Sequence, residues 1–66
     1  MLIVSRNITK RRMEKNLKQF ELAKLAGISQ AYLSHLEDYK SGKRITILTL
    51  RKLAKALNCK VGDLTD

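Results

Sequence analysis

The chain has 66 residues, with 14 Lys+Arg against 6 Asp+Glu, one His, one Cys, no Pro and 44% hydrophobic residues. That length fits one small domain spanning residues 1–66, and the apolar content fits a packed core rather than a disordered chain. Cys59 has no intrachain partner for a disulfide, one Cys and one His cannot complete a structural zinc site, and the net charge of +8 points to a polyanionic partner: nucleic acid, anionic lipid or an acidic protein.

In chain order, Leu2-Ile3-Val4 is the one segment that suggests a short N-terminal strand. A first helix is expected over about residues 7–16, with Ser5 or Asn7 as N-cap. Its apolar content is thin, Ile8 and Met13 with Leu17 just beyond, and Lys10-Arg11-Arg12 make it basic. A second helix fits Gln19 to Ala26, because Leu22, Ala23 and Ala26 share one face. Gly27 then ends it as a left-handed residue would. Phe20 and Leu25 fall off that face.

A third helix fits Gln30 to about Tyr39, with Ser29 as its N-cap. Leu33 and Leu36 point one way, while Ala31, Ser34, His35 and Asp38 point the other, with Gln30 and Tyr32 at the edges. A basic loop follows from Lys40 to Ile45, and Thr46 caps a fourth helix over about Ile47 to Leu57. Ile47, Leu50, Leu53, Ala54 and Leu57 form its apolar stripe, and Leu48, Lys52 and Lys55 lie away from it. A last turn, Val61 to Leu64, closes the core. The fold class is all-α, a compact bundle of four to five short helices.

Residues 19–37 combine the parts of a helix-turn-helix unit. Ala23 is small enough for two helices to approach, Gly27 turns the chain without a Cβ clash, Ile28 plugs the corner, and Leu33 and Leu36 anchor the second helix. With Arg12, Leu17-Lys18-Gln19, Leu22-Ala23, Gly27-Ile28-Ser29, Leu33-Ser34-His35-Leu36-Glu37, Thr49-Leu50 and Leu53-Ala54-Lys55-Ala56-Leu57, the sequence resembles the lambda-repressor/Cro-type (XRE) helix-turn-helix family over about residues 8–64. It departs from the family pattern at three places. Lys18 stands where a capping Thr is usual, Arg11 where a Leu is common, and the loop after Glu37 is longer, with Ile45 in place of a frequent Pro.

The resemblance implies that the third helix lies in the major groove of duplex DNA. Gln30, Ala31, Tyr32 and His35 would then be the base readers. Gln30 suits a bidentate contact to adenine, Ala31 a thymine methyl, and His35 a guanine edge or a phosphate. A solvated helix-start residue is the alternative for Gln30, and an ordinary exposed histidine for His35. Lys18, Gln19, Ser34, Lys40, Lys43 and Arg44 would contact phosphate, setting affinity and register without sequence code. Arg12 and Glu37 match the family's internal ion pair, a structural role, as is that of Gly27. Asp38 lies on the outward face, where it would repel phosphate, but near the end of the helix.

The resemblance further implies a homodimer on a palindromic operator, with half-sites about 34 Å apart. Leu48, Val61, Leu64 and Thr65 are the candidate interface, or Leu2-Ile3-Val4 as an intersubunit strand. The expected function is a sequence-specific, repressor-like transcriptional regulator. The other reading is an antitoxin-like or anti-repressor module of the same fold that binds an unidentified protein partner. No enzyme is expected, because no nucleophile–base pair or carboxylate dyad stands out. No cofactor and no metal are expected either. No run approaches the length of a membrane span and no signal peptide is evident. The expected setting is cytoplasmic and nucleoid-associated, in a prokaryotic or phage-like source.

Overall fold

The computed structural model describes residues 2–38 and 45–65 and forms them into five helices: α1 (Leu2–Glu14), α2 (Gln19–Ala26), α3 (Gln30–Glu37), α4 (Ile47–Ala56) and α5 (Val61–Thr65). Among the described residues there is no strand.

Among the described residues, three left-handed positions punctuate the chain: Asn16 (φ 56°), Gly27 (φ 71°) and Asn58 (φ 56°). Each closes a helix with the same pair of hydrogen bonds. At Gly27, its own N–H donates to Lys24 O at 3.2 Å and Ile28 N–H donates to Ala23 O at 3.0 Å. Asn16 with Leu17, and Asn58 with Cys59, repeat that arrangement after α1 and α4. The carbonyls left over at a helix end are thereby satisfied, and asparagine tolerates the left-handed region better than most residues.

The helix starts are fixed by side chains. Ser29 Oγ accepts from Tyr32 N–H at 3.0 Å, and Thr46 Oγ1 accepts from Thr49 N–H at 3.2 Å. At α2 the lysine at the cap position has no oxygen to offer. There the Glu21 carboxylate reaches back and accepts the Lys18 backbone N–H at 2.9 Å, which is half of a capping box. Asp63 does the same for Lys60 N–H at the start of α5, at 2.9 Å.

Ile8, Leu22, Leu33, Leu36, Leu53, Leu57 and Leu64 are the fully buried apolar side chains, one or more from each helix or its cap. Each such burial contributes about 1.5–3 kcal/mol. In the packing, α1 lies against α3 and α5, and α2 lies between α3 and α4.

Several sequence expectations are corrected here. The N-terminal segment is helix, not strand: α1 starts at Leu2, so Ser5 and Asn7 lie inside it and cap nothing. The reason is the packing of α1 on α5. Ser5 is buried, Val4 packs on the core, and Asn7 Nδ2 donates to Leu64 O at 2.9 Å. That also withdraws Leu2-Ile3-Val4 as an intersubunit strand. Met13, expected on the apolar face of the first helix, is 63% exposed, because Ile8 and Val4 carry that face.

Ile47, expected in the stripe of α4, is 60% exposed. It sits at the edge of the buried arc in the first turn, and Thr49 is buried instead. Leu64 is wholly buried and Val61 packs on the core, so neither is a free interface residue. The third helix stops at Glu37, with Asp38 as its C-cap, and the fourth stops one residue early, with Leu57 as its C-cap. Tyr39, Lys40, Lys43 and Arg44 lie outside the described residues.

Candidate nucleic-acid interface

A turn of three residues, Gly27, Ile28 and Ser29, joins α2 to α3. Gly27 supplies the positive φ, and Ile28 packs against the core at the corner. Leu33 and Leu36 then lock one side of α3 into the interior. The opposite side leaves Gln30, Ala31, Ser34 and His35 exposed together, at i, i+1, i+4 and i+5. Four of the residues expected to meet DNA thus form one contiguous outward face. They offer an amide, a methyl, a hydroxyl and an imidazole.

Tyr32 is placed differently. It is half-buried, with its ring packed against the core, so it stands at the margin of that face. Asp38 is exposed but lies past the last residue of α3, at the C-cap. Lys18 is exposed immediately before α2, where the helix's first N–H groups favour an anion.

The tilt of α3 is held by a carboxylate. Glu37, at its last turn, has a side chain only 6% exposed, and Arg12 on α1 is 15% exposed. Arg12 Nε donates to Glu37 Oε2 at 2.9 Å and to Oε1 at 3.2 Å, and Nη2 donates to Oε1 at 3.0 Å. Thr9 Oγ1 donates to Oε1 at 3.1 Å. The other Arg12 terminal nitrogen, Nη1, donates to Leu17 O at 2.8 Å, which fixes the link between α1 and α2. Gln19 Nε2 lies 3.4 Å from Glu37 Oε1, so this residue faces the ion pair as well as the helix start. One acidic group therefore joins α1, α2 and α3. The family resemblance implied the Arg12–Glu37 pairing; the roles of Thr9 and the Leu17 carbonyl had no such signal, since neither carries a charge pattern.

Arg11, which the sequence leaves to solvent, reaches α5, with Nη2 3.9 Å from Asp63 Oδ1. Both partners are well exposed, so solvent screening limits this pair to about 0–1 kcal/mol. Cys59, half-buried after α4, has its thiol pushed above the ordinary value by burial, opposed by the charge of Arg11. Among the described residues, no group of three or more His, Cys, Asp or Glu is placed to hold a metal ion, and no helix is long and apolar enough to cross a membrane.

The comparisons agree with this geometry. A family model described as helix-turn-helix matches residues 8–64. The uncharacterized HTH-type transcriptional regulator y4dJ of Sinorhizobium fredii is 42% identical over 55 residues, covering 83% of this chain and 69% of that protein. The control protein C.SmaI of Serratia marcescens is 36% identical over 59 residues, covering 89% of this chain and 68% of that protein. The crystal structure of the restriction-modification controller protein C.AhdI from Aeromonas hydrophila superposes with a TM-score of 0.87 at 25% identity, over 96% of this chain and 92% of that one. With its left-handed glycine turn and bracing ion pair in place, the chain belongs to the helix-turn-helix family, in the lambda-repressor/Cro-type (XRE) group of DNA-binding transcriptional regulators.

Proposed function

We propose that this chain is a sequence-specific, repressor-like regulator that binds a palindromic operator as a homodimer, with α3 in the major groove. The observation that carries the reading is the outward face of α3, where Gln30, Ala31, Ser34 and His35 are exposed over a buried Leu33–Leu36 anchor. The amide of Gln30 fits adenine, and the imidazole of His35 fits a guanine edge or a phosphate. Lys18 and Gln19 at the start of α2, with Lys40, Lys43 and Arg44 between α3 and α4 in the sequence, serve the phosphates. Two similar proteins named as control or controller proteins support a controller-type regulatory role.

A single unit reads only a few base pairs, which calls for a second copy one helical turn away, about 34 Å. The exposed pair Ile47 and Leu48, in the first turn of α4, supplies the apolar surface for it; Thr65, also expected at the interface, is exposed as well. Selection from random duplexes by the purified chain tests the proposal. A symmetric consensus with half-sites one turn apart is expected; enrichment of no sequence would refute it.

A further inference from the structure

Phe20 and Leu25 contribute nothing to the core and remain 54% and 62% exposed on α2. Leu25 joins two shallow depressions of about 380 Å³ each. One lies between α2 and α4, with Ala26 and Ala56 as its floor and Lys52 and Lys55 at its edge. The other runs along α2 past Phe20, with Glu21 and Lys24 at its edge. The alanines leave room between the two helices for a bulky apolar side chain from outside.

The charge around this surface is mostly positive, three lysines against one glutamate. Lys24, Lys52 and Lys55 are all exposed, and none makes an ion pair with another described residue. The acid at the edge, Glu21, is already engaged by the Lys18 backbone N–H at 2.9 Å. The groove also lies apart from the DNA-reading face. Helix α2 packs on α3 to one side and on α4 to the other, and the groove opens on the α4 side.

We propose that this groove docks an acidic amphipathic helix of a partner protein. Its apolar residues would cover Phe20 and Leu25 and enter over the alanine floor, and its carboxylates would meet Lys24, Lys52 and Lys55. A phosphate backbone would use the lysines and leave Phe20 and Leu25 uncovered. A bilayer surface would cover the two apolar side chains and leave the concave floor between the helices empty.

The test is a titration of the isotope-labelled full chain with a synthetic helical peptide that carries leucines on one face and glutamates beside them. A control peptide replaces the glutamates with lysines. The expected result is chemical-shift change at Phe20, Leu25 and Ala56, none at Gln30 to His35, and no response to the control peptide. Leu25→Glu and Lys52→Glu/Lys55→Glu should each weaken the peptide by about tenfold or more. Melting curves confirm that the variants fold, and Phe20→Ala repeats the test at a second position.

Leu25→Glu should keep wild-type affinity for a selected duplex, so loss of peptide binding and loss of DNA binding are read separately. The proposal is overturned if the shifts centre on α3, if both peptides bind alike, or if neither binds. It is equally overturned if self-association alone moves these residues, or if only phosphatidylglycerol vesicles do.

Discussion

Arg12 and Glu37 meet through three nitrogen–oxygen contacts, the shortest 2.9 Å, although 25 residues separate them in the chain. Their geometry ties the first helix to the last turn of α3, and Thr9 and Gln19 converge on the same carboxylate. Removing either partner strands the other charge in a largely dry site. Glu37→Ala should therefore destabilise the fold by about 3–5 kcal/mol, while replacing both partners with leucine and methionine should cost clearly less. Thermal or denaturant unfolding of the two single variants and the double variant checks this. A loss in the double variant equal to the sum of the two single losses would show that the pair is not coupled.

Gln30→Ala should weaken a selected duplex by about 1–3 kcal/mol and relax preference at one base position. Lys18→Ala should instead weaken all sequences alike and lower the salt slope by about one unit. Affinities of both variants for a panel of single-base operator changes, at two salt concentrations, separate the roles. A uniform loss for Gln30→Ala would make it a positioning residue.

Gly27 gives a different kind of stability test. Nothing lies within 4 Å of where its Cβ would stand, so a side chain there meets no wall, but φ is +71°. The cost is then backbone strain alone, about 1–2 kcal/mol for Gly27→Ala. Gly27→Asn should lose less than Gly27→Ala despite its larger side chain. The reverse order in unfolding experiments would mean that steric fit, not φ, governs the turn.

Burial raises the Cys59 thiol above its ordinary value of 9.0, with Arg11 pulling against it. The folded protein therefore keeps the proton over a range in which the unfolded chain loses it. Stability should be unaffected by this group below about pH 9 and fall as pH rises past it. Alkylation of the folded protein should be slow at neutral pH, with a midpoint above that of the unfolded chain. Cys59→Ser should remove that contribution to the alkaline loss of stability.

The second and third helices and the turn between them were readable because each boundary carries its own chemistry: Gly27, the Ser29 cap, and alternating buried and exposed positions. The first helix was harder. Its first half packs on α5, where Asn7 Nδ2 donates to the Leu64 carbonyl and Ser5 is buried, a long-range packing that hydrophobic spacing does not encode. Asn16 and Asn58 act as left-handed terminators, a role that glycine alone advertises clearly. Ile47 illustrates the converse, since it fits an apolar stripe by spacing yet lies uncovered in the first turn. The outward face of α3 was legible residue by residue. The convergence of Thr9 and Gln19 on Glu37 depends on three helices meeting, and emerged only from the fold.

The most direct test of the DNA-reading account is chemical-shift mapping of the labelled chain with its selected duplex. Gln30, Ala31, Ser34 and His35 should show the largest changes, with Lys18 and Gln19 at the border. Strong changes confined to α4 and α5, with residues 30–35 unmoved, would contradict it.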